Sequence, residues 1–232
     1  MIKPIIFKKS ITLTASQSLT GQKRPIDVPF LLGKLTASAT GIFKTRLDLN
    51  GKPMSRDQIA NANLFGVSTY PMILSAFGHV PFNGEITIDI TDLSAAPNVV
   101  NLVFIGLTGT ENELKELTDN YLNFPYFYSG EKTLLSTGED KAVIKADVDY
   151  PFRMVQLMAA KTGIFDAEIK INNDSLNRGR MPDTTLFGTA QLPMIIEPYD
   201  VKRGGIIETD LKDTSVAGNT VKLAFGGYKV TR

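Results

Sequence analysis

The sequence predicts an all-β chain of two tandem β-sandwich modules. Three observations lead there: a long internal repeat, strand-like alternation of apolar and polar residues within it, and turn residues set between short segments. Helical periodicity is confined to one short stretch.

The repeat comes first because it sets the register for everything else. "TGIF" stands at Thr40 to Phe43 and again at Thr162 to Phe165, a shift of 122 positions. At that shift Pro29 to Asn50 pairs with Pro151 to Asn172 without a gap, Arg56 with Arg178, "LFG" at 64–66 with "LFG" at 186–188, and "PMI" at 71–73 with "PMI" at 193–195. About a third of the positions are identical, more than short-motif chance gives. After one residue is dropped, Gly84 to Gly106 pairs with Gly205 to Gly227. The chain is a duplication, and it divides into a first module at 1–108, a partly helical connector at 109–124 and a second module at 125–232.

Each element follows from its pattern. "KPIIFKKSITLTA" and "FPYFYSGEKTLLS" precede the two copies and supply their outermost strands. In "GIFKTRLDLN", Phe43, Thr45, Leu47 and Leu49 alternate with Lys44, Arg46 and Asp48. The second copy keeps Phe165, Ala167, Ile169 and Ile171, while its outward set changes to Asp166, Glu168 and Lys170. Parity that survives on one side and drifts on the other marks a half-buried strand. Ile86, Ile88 and Ile90 alternate in the same way, and Val100, Leu102 and Phe104 answer to Val221, Leu223 and Phe225. Turn chemistry separates these segments: "NGK", "FNGE" and "SAAPN" in the first copy, "NND", "RGG" and "VAGN" in the second. "ENELKELTDNYL" (Glu111 to Leu122) places Leu114, Leu117 and Tyr121 on one helical face and reads as the connector. "SRDQIANAN" (Ser55 to Asn63) also has helical character, but its counterpart holds Gly179 and Pro182, so a long surface loop is expected in both halves. Many short strands with regular turns, repeated, give two jelly-roll-like sandwiches.

Composition narrows the function. The 25 basic and 24 acidic residues leave a net charge of +1 with no massed basic patch, so no specific nucleic acid partner is expected. The absence of cysteine removes disulfides, thiolate metal sites and a thiol nucleophile. No run is long enough for membrane insertion, and "MIKPIIFKKS" lacks the pattern of a signal peptide, so the chain is expected to fold in a cytoplasm.

Chemistry is sparse. His79 is the one histidine, placed by "FGHVPFNG" in an exposed turn, and no G-x-S-x-G elbow accompanies it. No P-loop, dinucleotide fingerprint or His/Cys ligand spacing occurs. The sequence therefore predicts no catalytic residue, no cofactor and no metal site, and no enzyme. Asp89 with Asp92, and Asp210 with Asp213, recur as carboxylate pairs that could hold calcium, but Asp92 and Asp213 open turns whose amides they are better placed to cap. Arg56 and Arg178 recur inside divergent loops and are candidates for an equivalent ion pair or contact in each half, with solvated loop arginine as the default. The aromatic run "YLNFPYFY" (Tyr121 to Tyr128) suits a glycan platform, a protein interface or, more simply, packing between the modules. "NDS" at 173–175 is a formal glycosylation sequon that carries little weight without a secretory signal.

Taken together, each copy's "LFG", "P-M-I", "G-x-I-x-x-D" and "D-x-S…N-x-V-x-L-x-F-x-G" order resembles the jelly-roll modules of bacteriophage virion proteins. Two in tandem resemble the double jelly-roll capsid proteins, whose halves stand upright in a shell and trimerise into pseudo-hexagonal capsomers. The resemblance implies a non-enzymatic virion protein that partners itself, as a trimer, and other virion proteins. It serves as the capsid or as a decoration, fibre or spike-base component. A tandem carbohydrate-binding or adhesin-like protein is the alternative.

Overall fold

Alternation at period two becomes strands because each buries one face and wets the other. In the computed structural model, which describes residues 1–119, 123–135, 141–215 and 217–230, these strands pair into four sheets, two per module. The first module runs β1 (Lys3–Leu13), β2 (Ser18–Pro25), β3 (Phe30–Ala39), β4 (Phe43–Leu49), β5 (Lys52–Pro53), β6 (Ile59–Ala60), the single turn α1 (Asn61–Leu64), β7 (Met72–Val80), β8 (Glu85–Asp92) and β9 (Asn98–Thr108). Helix α2 (Glu111–Asp119) follows. The second module runs β10 (Asn123–Leu134), β11 (Lys141–Asp147), β12 (Phe152–Lys161), β13 (Phe165–Ile171), β14 (Asp174–Ser175), β15 (Met181–Pro182), α3 (Asp183–Leu186), β16 (Met194–Val201), β17 (Ile206–Asp213) and β18 (Asn219–Val230).

The sheet orders are β1-β9-β3-β7 facing β2-β8-β4-β5, and β10-β18-β12-β16 facing β11-β17-β13-β14, with β6 and β15 also on β4 and β13. Apart from the short strands after β4 and β13, successive strands cross from one sheet to the other. This is the two-Greek-key path of a jelly roll, with β5 and β6 as two pieces of one interrupted strand. The fold is thus all-β, two tandem jelly rolls with the same strand path.

Burial follows the predicted parity. In β4 the inward set Phe43, Thr45, Leu47 and Leu49 is buried, and β13 does the same with Phe165, Ala167, Ile169 and Ile171. Each fully buried Phe, Leu or Ile contributes about 2 kcal/mol by removal from water. The strand before each bulge also repeats: register shifts between Leu32 and Lys34 in β3, and between Met154 and Gln156 in β12. The recurring "LFG" has a steric reason. A Cβ on Gly66 would overlap the Tyr70 carbonyl, and one on Gly188 the Leu192 carbonyl.

Two expectations need correction. His79 lies in strand β7, paired across from Leu31, rather than in a turn. Its ring is 3.2 Å from Glu111 Oε2, a carboxylate whose other oxygen accepts the Phe82 amide at 2.8 Å, so this corner fastens α2 to the end of β7. The 55–63 segment is not a surface loop: Ser55, Ile59, Ala60 and Asn63 are buried. Its counterpart also makes a helical turn, α3, because Pro182 sits just before the turn, where a missing amide proton costs nothing.

Helix α2 opens with a capping box. The Thr110 hydroxyl accepts the Glu113 amide at 3.3 Å and Glu113 Oε2 accepts the Thr110 amide at 2.9 Å. Leu114 is its buried anchor. Tyr121 and Leu122, which the sequence placed on this helix, lie outside the described residues, as does Val216 of the "VAGN" turn.

Candidate self-assembly surface

The recurrent polar motifs are brought together, but as clasps. Asn98 Oδ1 accepts the Gly41 amide at 2.9 Å and its Nδ2 donates to Asp92 Oδ1 at 2.9 Å. Asn219 repeats this with Gly163 at 2.8 Å and Asp213 Oδ1 at 3.4 Å. Ser94 and Ser215 donate hydroxyls to the same aspartates, at 2.9 and 2.6 Å. Thr40 and Thr162 accept the Val99 and Thr220 amides. "TG" and "D-x-S…N" therefore lock together the β3–β4 and β8–β9 turns, and their equivalents, at one end of each module. Burial pushes the Asp92 carboxyl up, but hydrogen bonds from Asn98, Ser94 and the Ser16 amide outweigh it and hold the group below the usual aspartate value.

The partner carboxylates point elsewhere. Asp89 accepts the Gly21 amide at 2.8 Å, and Asp210 pairs with Lys170. Residues three apart on a strand face opposite sides, so neither recurring pair converges on one point. Among the described residues no three His, Cys, Asp or Glu groups gather as a metal site. Arg56 and Arg178 are both exposed and form no ion pair with the described residues, as solvated loop arginines rather than an equivalent salt bridge.

The aromatic run divides by parity. Tyr126 and Tyr128 enter the core of the second module, where their rings lie 5.0 Å apart. Tyr128 shares a hydrogen bond with Asp149, and Lys229 lies over Tyr126 and Tyr150 at 4.0 and 3.6 Å. Phe127 points the other way and joins the core of the first module, together with Met158, Ala190 and Ala224. Tyr121 of this run lies outside the described residues.

Phe127 thereby marks the large contact between the modules among the described residues. The outer face of the β10-β18-β12-β16 sheet receives the β7 edge, α1 and the segment after β5. Across it Phe127 donates its amide to the Met54 carbonyl at 2.8 Å, Gln156 Nε2 to the Ile73 carbonyl at 3.1 Å, Ser75 Oγ to the Gly227 carbonyl at 2.6 Å and Asn63 Nδ2 to the Lys222 carbonyl at 2.9 Å. Lys44 pairs with Glu131 across the same seam, with Lys222 Nζ 3.8 Å from that carboxylate.

The contact is edge-on-face, so each module has one surface engaged and one open. The outer face of β1-β9-β3-β7 carries exposed Ile6, at 63%, and an apolar groove of about 460 Å³ lined by Pro4, Lys34, Phe77, Ile105 and Leu107. The β16 edge is open along nearly its whole length, with Ile195 at 63% and Met194 also exposed. An open edge strand with apolar residues is a surface suited to association. The sequence placed packing between the modules on the aromatic run, as Phe127 bears out, but did not identify the docked sheet face, although a signal for it was present. "LAFGG" in β18 is buried from Leu223 to Gly227, whereas "LVFIG" in β9 alternates, and loss of alternation marks a strand covered on both sides.

No family model and no curated protein matches this sequence. Among solved structures, the chain is similar to the major capsid protein P2 from Bacteriophage PM2 over 97% of this chain and 99% of that one, with a TM-score of 0.44 and 10% identity. It is similar to PBCV-1 VP54, a structure fitted into a reconstruction of the virophage Sputnik, over 99% of this chain and 98% of that one, with a TM-score of 0.41 and 8% identity. It is also similar to PNGF-II over 98% of this chain and 60% of that one, with a TM-score of 0.36 and 8% identity.

Proposed function

We propose that this chain is a non-enzymatic structural protein of a virus particle, built as a double jelly roll. It self-associates, as a trimer, and joins other virion proteins. The observation that carries this reading is the edge-on-face docking of two duplicated jelly rolls, which leaves one sheet face and one sheet edge open. Such a unit meets copies of itself through unlike surfaces, and unlike surfaces build closed rings or extended arrays. P2 of Bacteriophage PM2 is a major capsid protein, and the role proposed is of that kind, either the shell or a component attached to it. On this reading, the modules at 1–108 and 125–232 fold as units joined by the 109–124 connector, and the particle assembles in the host cytoplasm.

Polar residues at the recurring motifs support the reading by being consumed in structure: Asp92, Asp213, Asn98 and Asn219 bond one another rather than a substrate. The alternative, a carbohydrate-binding or adhesin-like tandem module, places its ligand on the aromatic run or on the loop pair at Ser55 and Asn177. Tyr126, Phe127, Tyr128, Ser55 and Asn177 are all buried, which disfavours it. Light scattering on the purified chain, with a glycan array in parallel, separates the two. Trimers or larger assemblies without sugar affinity support the structural role, and a stable monomer that binds a glycan overturns it.

A further inference from the structure

Two Asn-Gly steps stand in the chain, Asn50-Gly51 and Asn83-Gly84, both in turns of the first module. Each sets a side-chain amide next to a backbone nitrogen whose residue has no Cβ to shield it. That pairing permits the chain to react with itself. The nitrogen of the glycine attacks the asparagine Cγ, a C–N bond closes a five-membered succinimide, and the side-chain nitrogen leaves. The proton given up by the attacking nitrogen is balanced by the one the departing group takes up to become ammonia. Water then opens the ring at either carbonyl, giving aspartate or isoaspartate, with nothing oxidised or reduced.

The structure separates the two steps. Asn50 and Gly51 are both exposed, at φ of 49° and 78°, the left-handed pair of a two-residue hairpin turn between β4 and β5. Among the described residues neither the Asn50 side chain nor the Gly51 amide has a hydrogen-bond partner, and the space where a Gly51 Cβ would stand is open. Gly84 is buried, its amide donates to the Pro81 carbonyl at 2.9 Å, and a Cβ on it would meet Val80 and that same carbonyl. Its nitrogen is committed to the turn, and turning it onto Asn83 Cγ costs a buried hydrogen bond. The duplication supplies a third case. Asn172 holds the place of Asn50, at φ of 53°, with its amide on the Ile206 carbonyl at 3.0 Å as that of Asn50 is on Glu85 at 2.8 Å. Its Oδ1, however, accepts the Ile206 amide at 2.9 Å, and Asn173 follows where the first module has Gly51.

We propose that Asn50 is a self-modification site, which converts spontaneously to aspartate and isoaspartate in the folded chain while Asn83 and Asn172 are held. The site goes beyond the structural role proposed above and does not depend on it. The change is not silent in the fold. Aspartate adds a negative charge at the hairpin tip. Isoaspartate adds a methylene to the backbone of the two-residue turn that sets Leu49 opposite Lys52. The segment beyond that turn leads directly to Met54, whose carbonyl accepts the Phe127 amide of the second module. The modification therefore acts on the stretch that fastens one module to the other.

The test is peptide mapping by mass spectrometry of the full chain, held warm at mildly alkaline pH, which favours loss of the amide proton, and sampled over time. Each conversion exchanges ammonia for water in the mass of its peptide, and an isoaspartyl methyltransferase labels the isoaspartate form. In the folded chain Asn50 is expected to convert at least about tenfold faster than Asn83 or Asn172, a barrier lower by about 1.4 kcal/mol. In chain unfolded by urea, Asn83 rises to the rate of Asn50, because both are then Asn-Gly steps with nothing to hold them, and Asn172 stays slow. Asn50→Gly, which accepts the left-handed turn without strain, removes the isoaspartate label from this peptide and keeps the native melting transition. Equal rates for Asn50 and Asn83 in the folded chain overturn the selection by the Gly84 hydrogen bond. An Asn50 that survives in the folded chain while it converts in urea overturns the site itself.

Discussion

Gln156 of the second module donates its side-chain amide to the backbone carbonyl of Ile73 in the first, 3.1 Å away, while its own Oε1 is buried without a partner. Half of that amide is used and half is a cost. Gln156→Ala is expected to lower stability by about 1–3 kcal/mol, the range for stranding a buried partner. Gln156→Met, which fills the same space and removes the orphaned oxygen, is expected to lose much less. Chemical denaturation of the two variants checks the difference, and equal losses would show that the lost bond to the Ile73 carbonyl, rather than packing or the orphaned oxygen, sets the cost.

Phe127 is the apolar centre of the same seam. Phe127→Ala leaves a cavity among Met54, Met158 and Ala224 and is expected to cost about 3–5 kcal/mol. Because this residue of the second module is buried in the core of the first, calorimetry should show one native transition splitting into two as the modules uncouple. A single transition merely shifted to lower temperature would mean that the modules are coupled elsewhere.

The two asparagine clasps predict matched effects. Asn98→Ala and Asn219→Ala each remove the bonds to a glycine amide and to a buried aspartate, and each should destabilise by about 1–3 kcal/mol. Additivity within about 0.5 kcal/mol is expected in the double variant, because the clasps sit in different modules. Strong coupling measured between them would contradict that independence.

Acid sensitivity follows from Asp92. Its folded-state value is held below the unfolded value of 3.8. The stability it adds is therefore fully present above that unfolded value and is lost as pH falls through the folded one. Melting temperatures from about pH 6 to about pH 3 should fall more steeply for the native chain than for Asp92→Asn, in which this titration is absent. Parallel slopes would assign the acid sensitivity to other carboxylates.

Strand identity was legible from the sequence because a half-buried strand writes its burial with period two, and Phe43 and Phe165 mark the same step in both copies. Module docking was far less legible. Phe127, Met158 and Ala224 are apolar whether they face a core or a neighbouring module, and only the unbroken run "LAFGG" separates the cases. His79 was misplaced because Gly78 and Pro81 bracket it with turn residues, while Phe30 paired with Val80 carries the strand past it. The 55–63 segment has the composition of a loop, and it is buried because a second module sits on it, a fact that no local window contains.

Helix α2 has a consequence for how the contact between the modules depends on dose. By tethering the two modules it holds them at an effective concentration on the order of millimolar, whatever the amount of protein present. The internal seam therefore forms in dilute solution, at whatever abundance the chain is made. The duplication thus gives each module a neighbour that is always present, so the buried face of the second module never waits on a collision to be covered.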